Sequence, residues 1–200
     1  MARPYRGVEL VDRVAARRET LIESALDCLH GDGLSGVGVR SICARARLTP
    51  RYFYESFADL DELLVAVVDA VAAEVAARAV TAVAVAPDDL AGQVRAAVAA
   101  GYGVVATDPR KASALLVAAA GRGPLAERRA QIVVEYAELA LQHLPALSTT
   151  GDRRAATATA LFLVGGAGEL IAAVLSGRLR LSRGQVVDKL TALWVAALSA

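Results

Sequence analysis

The chain has 200 residues, 56% of them hydrophobic, enough to bury a sizeable core in one compact unit or in a small module joined to a larger one. A net charge of +1 gives no whole-chain signature of nucleic-acid binding, and two cysteines, Cys28 and Cys43, are too few for a disulfide framework and lack metal-ligand spacing. Arginines and acids recur through residue 19, which excludes the apolar core of a secretory signal and sets the expectation of a cytoplasmic protein.

Residues 1–16 read as a mixed-charge arm. From Arg17 to Gly31, Leu21, Ile22, Ala25, Cys28 and Leu29 recur at helical spacing, with Glu23, Ser24 and Asp27 opposite. Four glycines between Gly31 and Gly38 mark a turn. Val39, Ile42, Cys43 and Ala46 then fall at i, i+3, i+4 and i+7, one short helix. Thr49-Pro50 is a helix start, with the threonine expected to accept the cap hydrogen bond and the proline suited to the first helical position. Phe53 and Phe57 turn the inner face of that helix toward the previous two. Asp59 and Glu62 open a longer helix, expected to reach Arg78, with a D-x-x-E start that resembles a capping box. Five more helices are expected at about 88–107, 110–120, 124–143, 153–176 and 182–198, and Ser182 with Gln185 forms another capping box. No run alternates as a strand would. The expectation is an all-α chain of about nine helices.

Two short helices joined by Ala46-Arg47-Leu48 and packed on a third make a helix-turn-helix over about residues 37–57. With Phe53 and Phe57 inward, Arg51, Tyr52 and Glu55 point outward. An outward arginine pairs with guanine O6 and N7, and a tyrosine beside it bonds phosphate or packs on a thymine methyl. Residues 17–64 resemble the DNA-binding region of the tetracycline-repressor (TetR) family of transcriptional regulators. The pieces that carry the resemblance are Leu21-Ile22-Glu23-Ser24-Ala25-Leu26, Val39-Arg40-Ser41-Ile42, Leu48-Thr49-Pro50-Arg51-Tyr52-Phe53-Tyr54-Glu55-Ser56-Phe57 and Asp61-Glu62-Leu63-Leu64.

The resemblance implies a DNA-binding domain over 1–58 and an effector-binding and dimerisation domain over 59–200. It implies that Arg51 and Tyr52, with Pro50, lie where bases are read, that Thr49 and Tyr54 meet phosphate or sugar, and that Arg40 and Arg47 reach the groove edge or backbone. The partners implied are double-stranded operator DNA, a second copy of the chain and a small-molecule effector. The chain departs from the family pattern at Gly38, where a hydroxyl residue is usual, at Leu60, where a phosphate-touching lysine is common, and at Arg47, where glycine is usual. A left-handed Arg47 would cost about 1–2 kcal/mol. Arg3, Arg6, Arg13, Arg17 and Arg18 are candidates to reach flanking DNA in compensation.

Elsewhere the plainer readings prevail. Cys28 and Cys43 occupy apolar stripe positions and read as small core residues. The glycines of 31–38 do not follow a strand and do not satisfy G-x-G-x-x-G, so no phosphate cradle is expected. No catalytic set assembles, and no cofactor is expected. Residues 155–176 are apolar and long enough to span a bilayer, but Glu169 interrupts them, and the family's dimer bundle explains such a helix without lipid. For that dimer interface the expected residues are Leu161, Gly165, Gly168, Ala172, Val187, Leu190 and Trp194. For the effector pocket, the polar or aromatic residues expected to face inward are Tyr102, Arg122, Tyr136, Phe162 and Glu169, in a lining aliphatic enough for an apolar or amphipathic molecule. A helical interaction protein that binds no DNA remains the alternative, with a membrane-anchored chain as a third.

Overall fold

The computed structural model describes residues 5–121, 123–148 and 152–199. Arg3 of the expected arm and Arg122 of the expected pocket lie outside the described residues, as does the side chain of Arg6. Among the described residues, nine α-helices and one short 3-10 turn, Pro145–Ser148, make up the regular structure, with no strand.

Helix α1 spans Tyr5–Gly36, so the arm expected over residues 1–16 is helical from Tyr5 onward and continuous with the first core helix. Val8, Val11 and Ala15 do recur at i, i+3 and i+7 in that segment, a helical spacing that the interleaved charges obscure. The turn expected over Gly31–Gly38 is narrower than its glycines suggest, with the break at Gly33, φ 65° and ψ −179°. Helices α2 (Val39–Ala46) and α3 (Pro50–Tyr54) follow, and then α4 (Leu60–Ala84), opened by Asp59 Oδ1, which accepts from Glu62 N–H at 2.8 Å. The fourth helix runs well past Arg78, because nothing between Ala79 and Ala84 breaks it before Pro87.

The remaining helices start where caps predict. Asp89 opens α5 (Leu90–Thr107), Asp108 with Pro109 opens α6 (Pro109–Ala120), and Gly123-Pro124 opens α7 (Pro124–His143). Asp152 caps α8 (Arg153–Leu175), and Ser182 and Gln185 cap α9 (Arg183–Leu198) reciprocally at 2.8 and 3.3 Å.

Helix α4 is the spine, packing on α1, α5, α6 and α7, while α5 packs on α9, α7 on α8 and α1 on α6. Gly101 lets α5 approach α4 closely: a Cβ there would sit 3.3 Å from Val75 Cγ1. One buried cluster runs without interruption from Leu21 and Ile42 through Phe53, Phe57, Leu63 and Val67 to Leu190. It therefore crosses residue 58, where the sequence reading divides the chain. A second cluster gathers Val94, Ala137, Leu144, Leu163 and Trp194 at the far end.

Candidate nucleic-acid interface and cavity

The turn between α2 and α3 is set by Arg47, at φ 55° and ψ 37° the only left-handed non-glycine among the described residues. Its strain, on the order of 1–2 kcal/mol, is held by backbone bonds from Arg47 N–H to Ala44 O at 3.3 Å and from Leu48 N–H to Cys43 O at 3.0 Å. At the start of α2, the hydroxyl absent at Gly38 is partly replaced by Ser41, whose Oγ accepts from Gly38 N–H at 3.1 Å. Thr49 holds the N-cap position of α3 in extended backbone, but its side chain makes no cap hydrogen bond. The expected cap is thus a correction. Pro50 removes one donor of the first turn, and a five-residue helix leaves little else to cap.

Phe53 and Phe57 are fully buried, their rings 5.9 Å apart. That fixes the rotation of α3 and leaves Thr49, Pro50, Arg51, Tyr52 and Tyr54 exposed around the rest of the helix, as are Arg40 and Arg47. All seven residues expected to meet DNA lie on the surface. Tyr54 is 61% exposed, although its ring edge meets Phe53 at 5.3 Å.

Two arginines on α1 brace this surface from behind. The Arg17 guanidinium stacks 4.6 Å from the Tyr52 ring and reaches Glu55 at 3.7 Å. Arg18 donates to Ser56 O at 2.9 Å and lies 4.1 Å from the Phe57 ring. Arg17 and Arg18, expected as arm residues reaching flanking DNA, are therefore engaged within the head. No local spacing signals this, because the partners are nearly forty positions away. Glu55 also accepts from Arg51 Nε at 3.0 Å, so one carboxylate is shared by two arginines. Both cysteines are free and buried, and burial pushes the Cys43 thiol up, which disfavours the reactive thiolate.

Below the head, helices α4 to α9 surround a half-enclosed cavity of about 280 Å³ with a mainly aliphatic wall that also includes Arg129 and His143. Tyr102 and Tyr136 line it, as expected. Tyr136 donates to Ala72 O at 2.7 Å, and burial pushes its phenol up, so it stays neutral. Phe162 and Glu169 do not line it: Phe162 is 78% exposed, and Glu169 is exposed and ion-paired with Arg129, which does reach the cavity wall. Four of the expected interface residues are placed in the core instead. Ala172, Val187, Leu190 and Trp194 are buried inside the subunit, and Gly165 and Gly168 join Ala172, Leu190 and Trp194 in the cavity wall. Leu161 is half-buried against the second cluster. Both α8 and α9 are apolar around much of their circumference, so sequence alone does not give their rotation.

Head and body are joined by Arg110, at the start of α6, which the sequence reading did not single out. Arg110 reaches Glu23 at 3.2 Å and Asp27 at 3.0 Å on α1, and Asp108 at 2.9 Å. The Arg110 guanidinium holds the Asp108 carboxyl below its ordinary value. Asp27 in turn lies 3.9 Å from Arg45 of α2. A charged path thus runs from α6 through α1 to the helix-turn-helix.

No protein-family model and no curated protein matches the chain. Solved structures do. A transcriptional regulator from Pseudomonas aeruginosa PAO1 is similar at 24% identity and TM-score 0.70, over 92% of this chain and 90% of that one. A TetR-family transcriptional regulator from Mesorhizobium loti is similar at 19% identity and TM-score 0.71, over 94% and 97%. The regulator FadR from Bacillus subtilis, solved in complex with stearoyl-CoA, is similar at 12% identity and TM-score 0.74, over 90% and 98%. The chain has the all-α fold of the TetR-family transcriptional regulators along nearly its whole length.

Proposed function

We propose that this chain is a ligand-responsive transcriptional regulator of the TetR family, a cytoplasmic repressor rather than an enzyme. In this reading it binds a palindromic operator as a homodimer and is released by a small apolar or amphipathic molecule. The observation that carries the reading is the exposure of Arg51, Tyr52 and Tyr54 on a helix whose rotation is fixed by buried Phe53 and Phe57. Residues 1–58 form the DNA-binding part and residues 59–200 the effector-binding and dimerisation part, the two sharing a core through α4.

Arg51 reads a base edge, and Tyr52 and Tyr54 meet the backbone or a methyl group, with Thr49, Arg40 and Arg47 on phosphate. The Thr49 hydroxyl, without a cap bond, is suited to that contact. For the dimer, the surface that fits is the outward side of α8 and α9, where Phe162 and Leu193 are exposed. Helix α8 has a mean hydropathy of 1.9 and is long enough to cross a membrane, yet only 17% of its apolar stretch is buried in the single chain. A second copy covers such a face without placing the Glu169–Arg129 pair in lipid. Ligand in the cavity acts by preferring one arrangement of α4 and α6, which the Arg110 path passes to α1, and the coupling is reciprocal with DNA affinity.

The test is retarded migration of DNA from upstream of the chain's own gene, with Arg51→Ala and Tyr52→Ala as the paired change. The reading expects binding that the double change weakens at least tenfold. It fails if nothing is bound at low salt, or if the double change is silent. Sedimentation of Phe162→Glu tests the dimer, which this reading expects to fall apart into folded monomers.

A further inference from the structure

Glu55 ends α3 as its C-cap, and its two carboxylate oxygens serve different arginines. Oε1 accepts from Arg51 Nε at 3.0 Å, one turn back on the same helix. Oε2 lies 3.7 Å from Arg17 Nη1 on α1. An exposed pair four residues apart holds a side chain only weakly by itself. Here the carboxylate is also held from α1, by a guanidinium stacked 4.6 Å from the Tyr52 ring on a side chain only 24% exposed. Arg51 stands in solvent, 84% of its side chain exposed, and its terminal nitrogens bond no acceptor among the described residues.

A guanidinium carries its donors in a rigid fork, so an acceptor on Nε leaves the edge formed by Nη1 and Nη2 to meet a partner. In the major groove, guanine alone among the bases presents two neighbouring acceptors, O6 and N7. Adenine sets a donor beside its N7, and a two-donor edge does not match that pattern. Charge agrees with geometry. Two guanidinium groups on one carboxylate leave the cluster net positive, so Glu55 does not set a bare negative charge against DNA phosphate.

We propose that Glu55 is the positioning residue that makes Arg51 a reader of guanine. It holds Arg51 Nε so that the two Nη groups meet O6 and N7 end-on, while Arg17 holds Glu55 from α1. This rests on the reading of α3 as the helix that meets DNA, and it names the base that helix selects.

The experiment enriches a random DNA pool on the intact protein. The enriched duplex is then remade with 7-deazaguanine, which lacks N7, at each guanine in turn. One guanine per half-site should show roughly tenfold weaker binding when replaced, the worth of one bidentate pair. Arg51→Ala should remove that penalty. Glu55→Ala should remove most of it although Arg51 is still present, whereas Glu55→Gln, which keeps an acceptor for Nε, should retain it. A merely structural role for Glu55 would weaken the two duplexes alike and leave the penalty standing. In the free protein, the Arg51 Nε–H resonance should shift in Glu55→Ala. An enriched site with no guanine whose penalty depends on Arg51, a penalty undiminished in Glu55→Ala, or an unmoved Arg51 resonance overturns this proposal and leaves the regulator reading intact. A pool that yields no enriched sequence at low salt retires both.

Discussion

The head and the body of this molecule reach stability by different means. In the head, a few large side chains are fully buried and each element has one rotation: Phe53, Phe57, Leu21 and Ile42 are at most 2% exposed. In the body, many valines and alanines share the work around a cavity of about 280 Å³. The difference teaches where structure must be exact and where it must yield. A surface that reads bases needs rigid positioning, whereas a chamber that admits a ligand keeps space that a tight core would fill.

The largest effect expected from this contrast is on stability. Phe53→Ala should cost about 3–5 kcal/mol, because the cavity it leaves lies between short helices that cannot close over it. Val75→Ala, in the wall of the existing cavity, should cost about 1 kcal/mol or less, since its side chain already borders open space. Denaturant unfolding of the two variants checks this, and equal losses would erase the distinction between head and body.

A smaller effect is expected at the brace. Arg18→Ala removes the bond to Ser56 O and the cover over Phe57, and should destabilise by about 1 kcal/mol while weakening DNA binding. Thermal unfolding and a binding isotherm on one preparation separate the two consequences. Arg47→Gly should move them in opposite directions. It relieves a left-handed residue and should stabilise by about 0.5–1 kcal/mol, yet it removes a cation from the DNA-facing turn. The slope of log affinity against log salt should fall by about 1.

The smallest effect concerns pH. Asp108 is held low by Arg110, and Glu135 by Arg128. A carboxyl lowered in the folded state contributes stability that is complete above its unfolded value and is lost as pH falls through the folded one. Unfolding free energy should therefore decline on acidification below about pH 4, the ordinary carboxylate range. Arg110→Ala should flatten the Asp108 part of that decline, measured by denaturant titration across pH.

The same contrast governs how much was legible in the sequence. Thr49-Pro50 followed by Phe53 and Phe57 set the position and rotation of α3, because an aromatic pair four apart admits one inward face. Asp59, Ser182 and Gln185 marked helix starts that the backbone bonds reproduce. The rotation of α8 and α9 was not legible, because helices apolar nearly all round give no phase. Thus Trp194 and Leu190 face inward where an interface was expected, and Phe162 faces outward where a pocket residue was expected. Nor was the engagement of Arg17, Arg18 and Arg110 legible, since each depends on partners brought close only by the fold.

The central claim is that the α3 surface reads DNA, and selection of bound fragments from a random DNA pool tests it most directly. The account predicts enrichment of a near-palindrome whose half-site centres lie one helical turn apart, roughly 34–36 Å, or a multiple of it. It also predicts that Arg51→Ala with Tyr52→Ala abolishes that enrichment. No enrichment at low salt, or the same enriched sequence with the altered protein, would contradict it.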